Sequence, residues 1–421
     1  MDADSVENRL QFPEKDEILT DADSKHFENG VIKNHNNHST KTSISSFFLD
    51  TVLKFNLLKM LFWMKYYIKR LYIIAWHELS MNPAVRLSPF TDPPENEIKL
   101  TWNEIFNIRR RRIFFFMFHL LAFVGLFYCL TGRVKLYTIL WTCALGVMSS
   151  IGVTAGAHRL WSHHSFKATW QLRVILMLFQ TIAVQYSLYN WTLEHRIHHK
   201  FTDTDSDPHN SKRGFFFSHI GWSVTLPHPD MLNKIKTIDM KDIQEDKIAM
   251  FQYKYYVPLV VILAYLIPTL VPWYFWNENL WVAHCVAAQL RFVVTLHGTF
   301  LINSAAHMWG TRPYDKNINP TENMFVSAAT FGDGWHNYHH VFPWDYRNSE
   351  LWNYKLNLST AFIDFFALVG WAYDMKTVPS DIVYKRVKRT GDGSHHVWGW
   401  NDDSMSPQDR GIAEIRHQKK H

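Results

Sequence analysis

The chain has 421 residues, of which 47% are hydrophobic and 16% aromatic, and its net charge at pH 7 is +6. This length allows either a large core or a membrane domain with an attached cap, and nothing in the composition indicates nucleic-acid binding. The three cysteines, Cys129, Cys143 and Cys285, lie in apolar runs without zinc-like spacing. They therefore indicate core residues in a reducing compartment.

The first 98 residues differ from the rest of the chain in composition. Residues 1–42 are rich in Asp, Asn, Ser, Lys and His and show no apolar period, which predicts a disordered polar tail without a signal peptide. Residues 43–98 begin with an apolar stretch that carries Lys54, Lys59, Lys65, Lys69 and Arg70. These charges favour an interfacial segment over a transmembrane helix, and the prolines of residues 82–97 indicate a linker.

Four later stretches meet the length of about 20 apolar residues that a helix needs to cross a bilayer. They are residues 113–131, 136–156, 255–276 and 280–302. Short connections join the first to the second and the third to the fourth, so we predict two helical hairpins. Four arginines, residues 109–112, precede the first hairpin, and the positive-inside rule places that end in the cytosol.

This topology places residues 157–254 and 303–393 on the cytosolic side, where both termini also lie. We therefore predict an all-α membrane protein with four transmembrane helices in two hairpins and a cytosolic helical cap, followed by a C-terminal tail of residues 394–421. The apolar run 172–189 lies between segments of the cap. We expect it to lie along the membrane surface or to pack under the cap.

Histidines are concentrated in the predicted cap. Two histidine triplets have the same spacing. The first is His195, His198 and His199, and the second is His336, His339 and His340. Because residues three and four apart share a face of an α-helix, each triplet could aim three imidazoles at one point. Further candidates follow the second and fourth predicted spans: His158, His163, Asn303 and His307. Single histidines inside the spans, His119 and His284, are interpreted as packed residues.

The number and type of these ligands indicate which metal would bind. Imidazole suits iron, copper, zinc and nickel, and so many histidines exceed the needs of one four-coordinate zinc. Two irons fit better, although the Glu-x-x-His pairs of soluble di-iron bundles are missing. His158 and His163 are five residues apart, which does not share an α-helical face, so we expect the helix to break or bend between them.

Seven motifs together resemble those of the membrane acyl-CoA desaturases of the stearoyl-CoA (delta-9) type. The motifs are His158-Arg159-Leu160-Trp161-Ser162-His163, His195-Arg196-x-His198-His199-Lys200-Phe201, Asp207-Pro208-His209-Asn210, Gly214-Phe215-Phe216-Phe217-Ser218-His219, Asn303-Ser304-Ala305-Ala306-His307, Arg312-Pro313-Tyr314-Asp315-Lys316-Asn317 and His336-Asn337-Tyr338-His339-His340. The likeness implies a desaturase domain of residues 99–393, and the Trp398-Gly399-Trp400 tail is similar to insect members.

The resemblance implies a set of metal ligands, residue by residue. Nine histidines would bind two Fe²⁺ ions, and Asn303 would reach one iron through water; the nine are His158, His163, His195, His198, His199, His307, His336, His339 and His340. His164, His209, His219 and His228 lie outside that set and are interpreted as structural. Asp203, Asp207 and Asp333 are candidates to fix histidine tautomers from behind the ligands.

The resemblance also implies an activity and its partners. It predicts an endoplasmic-reticulum enzyme that uses dioxygen and two electrons to place a cis double bond in a fatty acyl-CoA. The haem-binding sequence of a fused cytochrome b5 is missing, so we expect a separate cytochrome b5 and its NADH-dependent reductase as donors. The basic run Lys385-Arg386-x-Lys388-Arg389 could attract either this acidic partner or anionic lipid headgroups.

Several positions depart from the family pattern at the substrate end. Leu193 and Glu194 replace an Arg and an Asp that hold CoA in relatives, and Leu226-Pro227 replace an Arg-Lys pair. Phe300 stands where the family has a Trp. Each lost charge-assisted contact is worth roughly 1.5–3 kcal/mol, so the sequence predicts an altered head-group preference.

The tail of the substrate is predicted to reach the second span. Ser150 and Gly146 would lie about 12 and 18 Å below His158 at a rise of 1.5 Å per residue. Relatives carry larger side chains near the deeper position, so a glycine could admit longer chains, although a helix-packing contact is the alternative.

Two other functions share these sequence features. A fatty acyl hydroxylase would need the same iron oxidant and differ only in the fate of the substrate. A divergent membrane metal-binding scaffold without catalysis would account for the missing CoA cations, but all nine ligand positions are filled. Motif detail favours desaturation.

Overall fold

The structure is a computed structural model that describes residues 102–350 and 354–395, together with positions 408 and 411. The predicted N-terminal tail, interfacial segment and linker lie outside the described residues, as does nearly all of the C-terminal tail. Within the described part the chain is helical apart from one pair of two-residue strands, which confirms the predicted class.

The described helices, numbered in chain order, alternate between long membrane-length elements and short cap elements. They are α1 Trp102–Leu130, α2 Leu136–Ser162, α3 Trp170–Ala183, α4 Leu188–Lys200, α5 Phe215–His219, α6 Pro229–Lys234, α7 Lys241–Glu245, α8 Lys247–Lys254, α9 Tyr256–Trp276, α10 Leu280–Met308, α11 Met324–Ala329, α12 His336–Val341, α13 Leu358–Leu368 and α14 Ser380–Thr390. Strands β1 Lys167–Ala168 and β2 Ala372–Tyr373 pair antiparallel.

Four helices are long and apolar enough to cross a membrane, as predicted: Arg109–Leu130 within α1, α2, α9 and α10. The predicted span bounds, which end at residues 156 and 302, stay predictions, but the helices of the second and fourth spans are longer than those bounds. Both helices continue beyond those points, to Ser162 and Met308. The spans therefore carry the following residues directly into the cap, without an intervening loop.

The two hairpins are joined at the end opposite the cap, which we call the far end. Glu278, between α9 and α10, is buried, and its Oε2 accepts hydrogen bonds from the Lys135 backbone N–H (2.9 Å) and the Thr138 hydroxyl (2.7 Å). Lys135 Nζ donates in return to the Trp276 and Asn277 carbonyls, both at 2.8 Å. The carboxylate thus caps the N-terminus of α2 and holds the two hairpin loops together.

A buried arginine joins four helices near the middle of the bundle. Arg291 of α10 is 2% exposed, and its Nη1 donates to Ser149 Oγ (2.9 Å) on α2 and to the Ile182 carbonyl (2.8 Å) on α3. Its Nη2 donates to the Ala264 carbonyl on α9 at 3.3 Å. The planar guanidinium has enough donors to satisfy all three partners at once, which fixes α3 against the spans.

Helix α3 covers most of the apolar run 172–189 and packs against α2. Leu172 and Leu176 are fully buried in the main core cluster. A Cβ at Gly152 of α2 would lie 2.2 Å from the Gln180 backbone nitrogen, so glycine is required for this close approach. The helix therefore packs against the second span, and its position relative to the membrane surface stays a prediction. A break of four residues then turns the chain by 82° into α4.

Candidate metal centre

The last part of α2 is wound as a π-helix from Gly152 to Ser162, and it positions the first two histidines. In this winding the backbone hydrogen bonds join residues five apart. The His163 backbone N–H accordingly donates to the His158 carbonyl at 3.2 Å, and the two rings lie 5.0 Å apart between centroids. The helix ends between the two histidines, as predicted, and the π-winding brings their rings together.

The two histidine triplets lie on helices, as their spacing predicts. α4 begins at an N-cap, Ser187, whose hydroxyl accepts from the Asn190 backbone N–H at 3.3 Å, and its last two turns carry the first triplet. α12 has only six residues, too few to be stable alone. Contacts from behind hold it in place. Glu322 Oε1 accepts from the Tyr338 backbone N–H at 2.8 Å, and the Asn337 side-chain Oδ1 accepts from the Tyr314 backbone N–H at 2.9 Å.

The nine predicted histidines come together in two adjacent groups. We call them the five-histidine group, His158, His163, His195, His199 and His339, and the four-histidine group, His198, His307, His336 and His340. Within each group the ligand atoms all lie within 4.8 Å of one another.

Each triplet is divided between the two groups, so the expectation that a triplet aims at one point was wrong. His195 and His199, four apart on α4, enter the five-histidine group, whereas His198 between them enters the other. On α12 the pair four apart, His336 and His340, enters the four-histidine group and His339 the five-histidine group. Consecutive residues such as His198 and His199 differ by about 100° around a helix, enough to face two neighbouring points.

The ring nitrogens approach one another closely within both groups. In the five-histidine group, His158 Nε2 and His199 Nε2 lie 3.0 and 2.9 Å from His339 Nε2. In the four-histidine group, His336 Nε2 lies 3.1 Å from both His307 Nε2 and His340 Nε2. Since neutral imidazole has one lone pair on its unprotonated nitrogen, each group concentrates several lone pairs in a small volume.

Three buried carboxylates set the orientation of three of these rings. His158 Nδ1 donates to Asp333 Oδ2 at 3.0 Å, and His198 Nδ1 donates to Asp207 Oδ1 at 2.9 Å. His307 Nδ1 donates to Asp203 Oδ2 at 3.1 Å. The hydrogen is thereby fixed on Nδ1, which leaves Nε2 as the free lone pair. The predicted contacts of these three aspartates with ligand histidines are confirmed.

Electrostatics keep most of the rings uncharged. Burial lowers the pKa of His163, His195 and His199 well below its usual value, and neighbouring imidazoles lower it further. Burial also lowers the pKa of His198, but the Asp207 carboxylate outweighs it, so that the pKa of His198 is raised. A neutral ring is the form that binds a metal, and most of the site is therefore ready to do so at neutral pH.

The donor set fits a pair of transition-metal ions. His198 Nε2, in the four-histidine group, is buried and has no hydrogen-bond partner among the described residues. Leaving such a nitrogen without a partner lowers the free energy of unfolding by roughly 1–3 kcal/mol. A metal ion would remove that cost, and a site of imidazole nitrogens alone suits iron, copper, zinc or nickel.

Asn303 is the remaining ligand candidate, and the histidines interpreted as structural belong to neither group. Asn303 is four residues before His307 near the end of α10, and its contact through water stays a prediction. His209 is buried beside His198, with 5.5 Å between ring centroids, whereas His164 is exposed and contacts Asp242 at 2.9 Å. His228 caps α6.

A cavity of about 300 Å³ lies between α2 and α10, and it includes two of the predicted substrate residues. Gly146 and Ser150 both line it, and a Cβ at Gly146 would have nothing within 4 Å. The alternative that Gly146 is a helix-packing contact is therefore not observed. Glu194, next to His195, and buried Phe300 are outside the cavity lining, and their roles stay predictions.

Sequence reasoning missed the wall of the cavity that faces α2. Thr295, Gly298 and Thr299 of α10 line this wall, and Gln185 lies beside it with its Nε2 donating to the Thr295 carbonyl at 3.4 Å. Small and hydroxyl residues at spacings of three and four on a predicted span are the signal that could have identified this face.

Comparison with known proteins agrees with these features. The family model described as fatty acid desaturase matches residues 134–355. The chain is 54% identical to an acyl-CoA Delta-9 desaturase of Acheta domesticus, over 74% of this chain and 86% of that protein. It is 51% identical to an acyl-CoA Delta(11) desaturase of Trichoplusia ni (72% and 86%) and 48% identical to an acyl-CoA Delta12-desaturase of Acheta domesticus (73% and 84%).

Proposed function

This chain belongs to the fatty acid desaturase family and desaturates fatty acyl-CoA, and from that premise we propose that its nine clustered histidines hold two irons for the reaction. The observation that carries the proposal is the division of the histidines into groups of five and four whose ligand atoms lie within 4.8 Å of one another. When bound, two irons would supply the oxidising power, drawn from dioxygen and two electrons, that unactivated methylene C–H bonds require.

The protein's own residues would position and protect this chemistry. Asp333, Asp207 and Asp203 fix the hydrogen of one ring each on Nδ1, so that Nε2 of His158, His198 and His307 is available as a ligand. Burial of these rings excludes water, which would otherwise compete for the ligand positions. We expect Asn303 to contribute to the four-histidine group through water, because it lies on the same helix as His307.

We propose that the cavity beside Gly146 and Ser150 receives the acyl chain. Its lining comes from α2 and α10, the two spans that also carry His158 and His307. A chain lying along these spans would therefore approach the histidine groups with one pair of methylenes.

A first prediction concerns chain length. Gly146→Tyr should shorten the preferred substrate by several methylenes, because its side chain would enter the open space beside Gly146. Ala144→Tyr on the exposed face of α2 is the matched control and should leave the products unchanged. Fatty-acid profiles of cells that express each variant measure the effect. An unchanged profile for Gly146→Tyr would show that the acyl chain does not reach this position.

A second prediction concerns the head group. Leu193 and Leu226, at positions where relatives hold CoA with charged residues, are buried. We therefore expect the CoA group to add less to the binding free energy here than it does in a site with two cations. Free and CoA-linked acyl chains should then bind with similar affinity. Titration of the purified protein with both forms measures the difference. A strong preference for the CoA-linked chain would contradict the prediction.

We further propose a Delta-9 double bond, electrons from cytochrome b5 and its reductase, and an endoplasmic-reticulum location with the cap in the cytosol. The Delta-9 relative supports the first of these, and the arginines at the start of α1 support the orientation. The basic run on α14 supports an acidic partner only weakly, since Arg386 contacts Asp315 and Lys385 contacts Asp381.

One experiment tests the proposed function as a whole. Expression in desaturase-deficient yeast should restore growth and yield monounsaturated fatty acids with the double bond at position 9. Double bonds at position 11 or 12 would overturn the Delta-9 assignment alone. Hydroxylated products would favour the hydroxylase, and unchanged fatty acids from iron-loaded protein would favour a metal-binding scaffold.

A further inference from the structure

Three histidines outside the metal centre form a continuous chain across three elements. His119 of α1 and His297 of α10 approach with their Nε2 atoms 3.0 Å apart, and His297 Nδ1 lies 2.9 Å from His219 Nε2 on α5. At its two ends, His119 Nδ1 donates to the Phe115 carbonyl (2.7 Å) and His219 Nδ1 lies 2.9 Å from Ser304 Oγ. Sequence reasoning interpreted His119 as a packed residue and His219 as structural, and neither interpretation accounts for this chain.

Counting hydrogens shows what is unusual about the chain. The Ser304 hydroxyl also donates to the Phe300 carbonyl at 2.8 Å. The row of histidines therefore ends on a carbonyl at both sides, and a carbonyl can only accept a hydrogen bond. Five contacts between these carbonyls require five hydrogens. Three neutral imidazoles and one hydroxyl provide four. One excess proton completes all five hydrogen bonds, and without it one contact has no hydrogen.

The row of histidines ends at Ser304, close to the metal centre. Ser304 is fully buried, and its carbonyl accepts from the His307 backbone N–H at 3.1 Å. The three imidazoles are only partly buried. The proposed relay requires that water reach them at the boundary between the cap and the spans. The chain thus connects that boundary with the turn of α10 from which His307 projects.

The reaction needs protons as well as electrons. For each double bond, dioxygen takes two hydrogen atoms from neighbouring methylenes, two electrons from a one-electron donor and two protons from solvent, and two waters leave. We propose that His119, His297 and His219 form a relay in which one proton taken up from solvent is matched by one proton released from the Ser304 hydroxyl, which turns away from the Phe300 carbonyl and donates to water on the side of the histidine groups. This role rests on the proposed function, because a scaffold without turnover would consume no protons.

The electrostatic surroundings suit a relay that is uncharged between proton transfers. Burial lowers the pKa of His219, and no described carboxylate contributes to that shift. From residue 109 of α1 onward, the other cationic or basic side chains on α1, α5 and α10 are Arg109, Arg110, Arg111 and Arg112 on α1 and His284, Arg291 and His307 on α10. Arg112 Nε donates to the Val224 carbonyl on the turn that follows α5. A proton would therefore enter the chain only transiently, when the reaction withdraws one.

His297→Asn tests the relay, with His284→Asn as the matched control. Both positions lie on α10, but His284 contacts Thr269 and Gln289 toward the far end. His297→Asn should lower kcat by at least about tenfold with KM within about twofold, since a positioned proton donor contributes roughly 10²–10⁴-fold. It should also increase the solvent deuterium isotope effect on kcat, and added imidazole should restore part of the rate. The control should match the unmodified protein.

A second readout does not depend on turnover. In metal-free protein labelled with ¹⁵N-histidine, the ring signals of His219 should shift on His297→Asn and remain unchanged on His284→Asn. An unchanged kcat and isotope effect in His297→Asn would overturn the relay, as would unchanged His219 signals. If His297→Asn fails to fold, His119→Gln gives the same comparison from the other end. Failure of the unmodified protein to desaturate would instead count against the proposed function.

Discussion

Replacing His339 with alanine is expected to abolish desaturation and to reduce bound iron from two ions per chain toward one. His339 is fully buried, and its Nε2 lies 3.0 Å from His158 Nε2 and 2.9 Å from His199 Nε2. It is thus the contribution of α12 to the five-histidine group. Partners that only support ligands are worth about 10–100-fold in affinity or activity, so loss of a direct ligand should cost at least about 100-fold.

Metal analysis of purified protein and fatty-acid profiles from yeast measure the two effects. His164→Ala is the control, because His164 adjoins His163 but is exposed and belongs to neither group. It should retain activity within about twofold. A His339→Ala protein that keeps two irons and full activity would show that the five-histidine group is not a metal site.

The second large effect is expected from Asp203→Asn. Asp203 Oδ1 accepts from the Ser211 backbone N–H (2.9 Å) and hydroxyl, while Oδ2 accepts from His307 Nδ1 at 3.1 Å. Burial alone would raise the pKa of Asp203, but the hydrogen bonds from His307 and Ser211 hold it well below its usual value. An amide in this place can keep the Ser211 contacts but directs an NH₂ group at His307.

Two donors would then face each other, and the hydrogen of His307 should move to Nε2, which removes the lone pair that a metal needs. We expect iron affinity at the four-histidine group, and desaturation with it, to fall by roughly 10–100-fold. Iron titration of metal-free protein and turnover assays measure the two quantities. Asp205→Asn, two residues away and exposed, should change neither. Equal affinities for both variants would show that Asp203 does not tune the site.

The membrane helices and the clustering of the nine histidines could be predicted from the sequence for physical reasons that are local. Twenty apolar residues must form a helix in a bilayer, and histidines at spacings of three and four lie close together along it. The three aspartates near the triplets could likewise be identified by proximity. Each of these inferences needs only a short segment of chain.

What the sequence did not predict depends on contacts between distant segments. The π-winding that brings His158 to His163 begins at Gly152, where α3 packs against the helix, and Gln180 in that contact is 28 positions away along the chain. The division of each triplet between two groups follows from how α4 and α12 face each other. The cavity wall on α10 and the partners of His297 also depend on tertiary packing, which no periodicity encodes.

The position of Arg291 has a consequence for how the protein is made. A lone arginine at the centre of a transmembrane helix costs about 2.5–3.5 kcal/mol to insert. Its partners Ser149, Ile182 and Ala264 all precede it in the chain, so they are synthesised first. We therefore expect the fourth span to leave the translocon efficiently only after the preceding helices have gathered beside it, and a truncated α10 expressed alone to integrate poorly.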